Sequence, residues 1–475
     1  MMITKRWIHR TAALALAAAA VGVVPAVTTP VQAAPVSSLG AGGEFFPITP
    51  DRVLDTRVSS LDVAPGGRKA AGTQFDLDVL GVAGVPEDGV LAVGISVTVI
   101  QPTWKGFLSL RPSDYTPGES DLTTSLLNFS KGQVVPNFAI VGVGSEGKIT
   151  LDLSAGSGSA DVVVDVFGFV ATSDYDNSDA AAGPTVDEGG RMITQTPVRL
   201  LDTRPGELDG TDAKDSPMGE LERLRVKVRG EANVPDRSSV TGVVLNMAGI
   251  RPNMRTYLAV SPEPVPANKT DAFTASGNYG KGEVSSNLVV APLNDDGTIS
   301  LFNRSGRINV TLDVVGYIEQ SNDDSSVRGR VVPLEAPFRS FDTRIAEFGE
   351  RKLGFSSWED WSFGDFAASV TLDGSPVGRQ SGLLGNLAGV GLEPNYGGQS
   401  VVTYMTLNPT DPSGAAQTKT PPNANLNVPQ NQARANMSLV TYGSDGEGDS
   451  NMVSAFNNDG KIHYVLDVFA VILDD

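Results

Sequence analysis

One eight-residue phrase recurs three times along this 475-residue chain: Pro50-Asp-Arg-Val-Leu-Asp-Thr-Arg57, Pro197-Val-Arg-Leu-Leu-Asp-Thr-Arg204 and Pro337-Phe-Arg-Ser-Phe-Asp-Thr-Arg344. The template is P-x-R-x-[L/F]-D-T-R, and its copies start 147 and 140 residues apart. A second phrase closes each interval: Val164-Asp-Val-Phe-Gly-Phe169, Leu312-Asp-Val-Val-Gly-Tyr317 and Leu466-Asp-Val-Phe-Ala-Val471. Repetition at this period predicts one domain type used three times in tandem. The predicted units are residues 44–171, 191–318 and an enlarged 329–475, with linkers at 172–190 and 319–328.

Residues 1–33 read as a cleaved signal peptide. Lys5, Arg6 and Arg10 form the charged start, Ala12 to Val27 the apolar run, and Val31 and Ala33 the small-residue cleavage site. The expected location is extracellular or cell-wall associated. The chain has no cysteine, so each unit has to be stabilised by apolar burial, which about 130 residues permit. No segment after the leader is long and apolar enough to span a bilayer, so no membrane insertion is expected. Net charge is −19 and becomes about −22 without the leader, which disfavours nucleic acid and anionic membranes as partners.

The body reads as strands. Val90 to Ile100 has the β-branched composition of a buried strand, and Leu224 to Arg229 alternates apolar with basic residues. Turn signals at Gly144–Gly147, Asn294–Gly297 and Ser444–Gly446 predict hairpins. Capped helical periodicity is absent outside the leader. The expected fold class is therefore all-β: three tandem β-sandwich repeats, jelly-roll-like or immunoglobulin-like, each of roughly eight to ten strands. The strand carrying D-T-R and the strand carrying V-D-V are expected to lie close together, as domain termini often do. Asparagine pairs nine residues apart mark every unit, at Asn128/Asn137, Asn278/Asn287 and Asn427/Asn436. The third unit carries its extra length in Ile345–Gln380 and Asn408–Asn425.

The opening phrase, the central apolar strand, the paired asparagines and the closing V-D-V-x-G-[Y/F] resemble a repeat module of secreted actinobacterial proteins. That module occurs alone, in tandem or appended to extracellular hydrolases. The resemblance covers residues 44–473 and implies secretion, but it implies no activity, since the module has none established. The third unit departs from the pattern at Ala470 and Val471.

Two roles compete for the repeated charges. Arg57, Arg204 and Arg344 could present forked donors to a ligand carboxylate. The alternative is an internal Asp–Arg lock, with the threonine bonding the backbone of a tight bend. A residue set kept in every copy of one chain is what folding requires, so the lock is preferred for Arg52, Asp55, Arg57, Asp165, Arg199, Asp202, Arg204, Asp313, Arg339, Asp342, Arg344 and Asp467. It predicts low exposure for Asp55 and Arg57. Asp165, Asp313 and Asp467 sit among apolar strand residues and need a donor, which either arginine of the phrase could supply. The asparagines are expected to bond neighbouring backbone in loops. The acidic runs Asp174–Asp179 and Asp445–Asp449 lack the Asp-x-Asp-x-Asp-Gly loop of a calcium site, so no metal or cofactor is expected.

Catalytic provision is thin. His463 is the one histidine left after the leader; it stands on the last strand where the other units place Asp161 and Asn309, so no repeated role is expected for it, and no G-x-S-x-G elbow occurs. Only a pair of carboxylates could serve. Aromatic residues cluster in the third unit, where Trp358 and Trp361 are candidate ligand-binding residues if they lie side by side, and Trp104, expected exposed on a turn, is a third candidate. The expected function is non-catalytic binding of a cell-wall glycan or another surface protein, or assembly at the bacterial surface, with an oligomer left open. The alternatives are a carbohydrate-active enzyme with a two-carboxylate site in the third unit and a structural subunit of an extracellular assembly.

Overall fold

A computed structural model describes residues 42–475 apart from 59–66, 119–122, 173–174, 176–188, 207–213, 322, 324, 373–374 and 395–401. The predicted signal peptide, most of the first linker and, Tyr175 apart, the acidic run Asp174–Asp179 lie outside the described residues.

The regular structure of the described residues is almost entirely strand. It begins with β1 (Phe45–Asp55), β2 (Lys69–Ala70), β3 (Gln74–Asp78), β4 (Val90–Ile100), β5 (Gly106–Pro112), β6 (Leu127–Phe129), β7 (Val134–Gly142), β8 (Lys148–Leu153) and β9 (Ser159–Ala171). These form two sheets, ordered β1-β9-β4-β7 and β3-β8-β5-β6, with β2 added to β9. Then follow β10 (Arg191–Asp202), β11 (Arg223–Lys227), β12 (Val240–Ile250), β13 (Thr256–Ser261), β14 (Gly277–Tyr279), β15 (Val284–Pro292), β16 (Thr298–Asn303) and β17 (Asn309–Glu319). Their sheets are β10-β17-β12-β15 and β11-β16-β13-β14. The last part holds β18 (Val331–Asp342), β19 (Ser357–Ser362), β20 (Thr371–Leu372), β21 (Ser375–Pro376), β22 (Gln380–Glu393), β23 (Val402–Pro409), β24 (Leu426–Pro429), β25 (Arg434–Thr441), β26 (Met452–Asn457) and β27 (Lys461–Leu473). Its sheets are β18-β27-β22-β25 and β19-β26-β23-β24.

Each pair of sheets shares the same strand order, which is that of a jelly roll rather than an immunoglobulin-like sandwich. Apolar side chains from both members of a pair meet in one core, as Leu245 and Met247 of β12 do with Val226, Leu258 and Leu301 of the facing sheet. The opening and closing strands are hydrogen-bonded neighbours, with Arg52 opposite Asp165, Arg199 opposite Asp313 and Arg339 opposite Asp467.

One expectation needs correction. The predicted turns at Gly144–Gly147 and Asn294–Gly297 do form, closed by Gly147 N–H to Gly144 O at 2.9 Å and Gly297 N–H to Asn294 O at 2.7 Å. They carry the chain from one sheet to the other, so they are crossings and not hairpins. The extra segment 345–380 contains the short, uncapped helix α1 (Gly364–Ser369) between β19 and the β20-β21 hairpin.

The three sandwiches close on one another in a ring. Strand β1 packs on β15, β10 on β25 and β18 on β7, while β7, β15 and β25 touch each other at the centre. One apolar cluster accordingly joins Phe138 and Ile140 to Leu288, Val290, Met437 and Leu439. No helix among the described residues is long and apolar enough to cross a membrane.

Candidate functional site

The repeated phrase builds the same charged cluster three times, and a β-bulge makes it possible. Residues i and i+3 on a regular strand face opposite sides. The ladder slips by one residue between Arg52 and Leu54, between Arg199 and Leu201, and between Arg339 and Phe341. That extra residue turns the arginine and the aspartate of R-x-x-D toward the same side. Arg52 then donates to Asp165 through Nε at 2.7 Å and to Asp55 through Nη1 at 3.3 Å. Arg199 joins Asp313 to Asp202 in the same way, and Arg339 joins Asp467 to Asp342.

The last arginine folds back on its own aspartate. Asp55 accepts from the Arg57 backbone N–H at 3.0 Å, Nε at 2.8 Å and Nη2 at 2.6 Å, and Asp202/Arg204 and Asp342/Arg344 repeat the pattern. Asp55 is buried, but the Arg57 side chain is 46% exposed, against the expectation that both would be covered. Burial works to raise the Asp55, Asp202 and Asp342 carboxyls, yet the bonds from Arg57, Arg204 and Arg344 outweigh it and hold all three below their ordinary value. Burial pushes Asp165, Asp313 and Asp467 upward, with the first arginine of each phrase acting against it.

The threonine does not cap a bend. It extends the ladder: Thr56, Thr203 and Thr343 donate N–H to, and accept N–H through Oγ1 from, Val162, Val310 and Tyr464 of the closing strand. Beside it stand Asp161, Asn309 and His463, each bonded to the threonine, so these three aligned positions do share a role, against expectation.

The second asparagines lie in the central strands β7, β15 and β25, not in loops. Asn137 Oδ1 accepts Met437 N–H at 2.9 Å, its Nδ2 donates to Leu126 O and Asn386 Oδ1, and Asn436 Oδ1 accepts Leu288 N–H at 3.3 Å. They satisfy backbone groups along the outer edges of sheets in the neighbouring sandwich. Around this ring, Arg199 also donates to Pro422 O, Arg339 to Thr123 O, and Asn246 to Ala424 O. Arg52, in the equivalent place, lies over the Phe273 ring at 5.9 Å.

The tryptophans do not form the expected platform. Trp104 is 8% exposed and packs edge-on to Phe129 at 5.0 Å, so its turn is covered. Trp361 is equally buried, stacked on Phe341 at 4.4 Å, with Nε1 donating to Tyr464 Oη at 2.6 Å. Trp358 is half-buried against Phe456. Both belong to strand β19, where a separation of three places them on opposite faces.

A cleft missed by sequence reasoning lies where the second and third sandwiches meet. Its volume is about 1100 Å³. Met192 to Thr194 of β10 form one wall; α1, Arg379, Gln380, Tyr442, Asp449 and the C-terminal Asp474 and Asp475 form the other. Asp474 pairs with the exposed Arg379 at 3.5 Å, Asp449 bonds Ser362 Oγ and Asn451 N–H, and Asp475 accepts from Ser326 Oγ and Val327 N–H. The Ser326 bond, outweighing burial, holds the Asp475 side chain below its ordinary value. Among the described residues no group of three His, Cys, Asp or Glu is arranged to hold a metal ion.

The chain matches no family model and no curated protein. Among solved structures, the tandem CBM22-1–CBM22-2 domain of Paenibacillus barcinonensis Xyn10C is similar over 60% of this chain and 100% of its own, at 12% identity and a TM-score of 0.15. An archaeal-virus structure described by its triple jelly roll fold and turret assembly covers 92% of both chains at 8% identity, with a TM-score of 0.17. A structure of Sulfolobus turreted icosahedral virus covers 91% of this chain and 100% of its own at 10% identity, with a TM-score of 0.16. Likenesses this slight carry no weight for ligand or assembly.

Proposed function

We propose that this chain is a secreted, non-catalytic protein of the bacterial surface or extracellular matrix. It uses three tandem copies of one jelly-roll module to hold a cell-wall glycan or another surface protein. The observation that carries this reading is how the residues are used. Those that recur in every copy are bonded within a sandwich or between sandwiches, whereas the unrepeated segment 345–380 helps build the cleft between the second and third sandwiches. An activity belonging to the module would need repeated side chains left over for a ligand. The leader-like N-terminus and the resemblance to secreted actinobacterial repeats add support, and the net charge of −19 argues against nucleic acid as the partner.

A carbohydrate-active enzyme in the third unit would draw on the carboxylates of the cleft. A glycosidase needs one carboxyl kept protonated. Here Asp474 is ion-paired, and Asp475 is held below its ordinary value. The test is to incubate the purified secreted protein with isolated cell walls, with and without soluble glycans and surface-protein extract as competitors. The released sugar is assayed in the same fractions. Saturable, competed retention without release is the expected result. Absence of retention, or sugar release abolished by Asp449→Asn, would overturn it.

A further inference from the structure

We infer that this chain self-associates head to tail, the open edge of β3 in one copy pairing antiparallel with the open edge of β11 in another. Each strand ends a four-stranded sheet, β3 beside β8 and β11 beside β16, and among the described residues no strand lies on its other side. The bonds at the strand ends fix which residues face that open side. Thr73 O accepts from Leu153 N–H, and Gly147 O accepts from Val79 N–H, so the odd-numbered residues of β3 bond to β8. Asp76 and Asp78 therefore turn their own N–H and C=O outward. In β11, Glu222 O accepts from Asn303 N–H and Gly297 O from Val228 N–H, which leaves Arg225 and Lys227 facing outward in the same way.

The two edges occupy the same place in their sandwiches and carry opposite charge. Asp76 and Asp78 stand where the second sandwich has Arg225 and Lys227. Pairing β3 with β3 would set Asp against Asp, and pairing β11 with β11 would set cation against cation, so each edge rejects its own kind. Pairing β3 with β11 answers both charges of each edge. The third sandwich offers neither pole: its edge β19 shows Trp358, Asp360 and Ser362 there, and Asp360 is bonded to Ser454 Oγ.

The register follows from what each side chain already holds. Arg223 is committed to the carbonyls of Leu221, Val265, Pro266 and Lys269. Arg225 has Asp296 at 3.0 Å and Lys227 donates to Asp296 O, while Asp78 has Lys148 Nζ at 3.9 Å and Asp76 accepts from Thr150 Oγ1. Exposed pairs of this kind are worth little, and Asp78 and Arg225 remain 56% and 50% exposed. The pairing thus sets Asp78 opposite Arg225 and Asp76 opposite Lys227, each pair exchanging two main-chain bonds. Because the two edges belong to different sandwiches, every added copy leaves one edge of each sign open, and the association continues. It is independent of the binding reading above and adds copies of the chain to each assembly.

Sedimentation velocity of the purified protein over a range of concentrations tests this. At about 0.15 M salt the screening length is roughly 8 Å, so the net charge of −19 does not hold copies apart while contacts across a ladder persist. A mean mass that rises with concentration without levelling at two copies is the expected result. Asp76→Lys with Asp78→Lys, and separately Arg225→Glu with Lys227→Glu, should each weaken association at least tenfold at an unchanged thermal midpoint. All four changes together exchange the poles and should restore it. Deuterium exchange on the unaltered protein needs no variant and decides alone if a reversed one fails to fold: the amides of Asp76, Asp78, Arg225 and Lys227 should slow as concentration rises. A single species at every concentration, a mass that levels at two copies, association untouched by either reversal, or protection confined to other elements would overturn the inference.

Discussion

At the scale of single residues, each unit concentrates its electrostatics on one arginine that bridges two buried aspartates. The lock was legible in the sequence because both partners recur in every copy. Which arginine takes which aspartate was not legible, because the answer depends on a bulge that no pattern of residues announces. The burial of Trp104 was hidden for a similar reason: it is set by Phe129 and by Gly156, where an added Cβ would meet the indole at 2.7 Å. The lock makes a prediction with a definite pH sign. Asp467 has its carboxyl pushed up by burial, and its ionised form is supported chiefly by Arg339, with the Ser125 N–H as a second donor. A group whose folded pKa is raised contributes stability below its unfolded value, about 3.9, and loses it as pH rises through the folded value. Arg339→Met should therefore cost about 3–5 kcal/mol at pH 7, the usual penalty for orphaning a buried charge. The deficit against wild type should narrow toward pH 4, as Asp467 takes up a proton. Urea denaturation from pH 4 to 8 measures this, and a deficit that is constant or grows on acidification would contradict it.

At the scale of elements, strands and turns could be read from β-branched runs and Gly-containing loops, but their partners could not. The sequence placed β7 next to β8 by a turn, whereas hydrogen bonding pairs β7 with β4 and β8 with β3 and β5. The asparagines depart from expectation for a related reason. Asn137 does bond backbone close by, at Phe138 N–H and Leu126 O, but its Oδ1 also accepts from Met437 N–H some 300 residues away, a partner that no local pattern announces. Such an Asn serves as an edge cap. Replacing Asn137 by Ala removes the acceptor for the Met437 and Phe138 N–H groups and the donor to Leu126 O. We expect a loss of roughly 2–3 kcal/mol, the scale for leaving buried backbone groups unpaired. Asn287, whose Oδ1 has no partner and whose Nδ2 reaches Pro136 O at 3.3 Å, should cost less than about 1 kcal/mol when changed to Ala. Equal losses for the two variants in thermal or chemical denaturation would refute the edge-cap role.

At the scale of the whole molecule, the ring of three is closed unevenly, and nothing in the repeated phrases foretold it. The seam between the second and third sandwiches holds Arg199, Asn246 and Asn436 in bonds across it, and the seam between third and first holds Arg339, Asn386 and Asn137. The seam between first and second is poorer at the same positions. Arg52 meets a ring instead of a carbonyl, and Ser96 stands where the others have Asn246 and Asn386. The Phe138 N–H turns to its own Asn137 instead of to Asn287. At its periphery this seam keeps the Glu44–Arg191 ion pair at 2.7 Å and the backbone bonds between Phe45 and Gly190. Opening should therefore begin at the axis, where edge-strand amides lose protection as the neighbouring sandwich moves away. Hydrogen exchange can compare three equivalent amides, and Phe138 should exchange faster than Leu288 and Met437. Ser96→Asn can reach the carbonyls of the segment that leads into β14, as Asn386 reaches Ser125 O and Leu126 O. It should slow exchange at Phe138 and add roughly 0.5–1.5 kcal/mol, the net worth of a hydrogen bond. Equal protection of the three amides would show that apolar packing alone holds the ring, and that the asparagines add no strength at its centre.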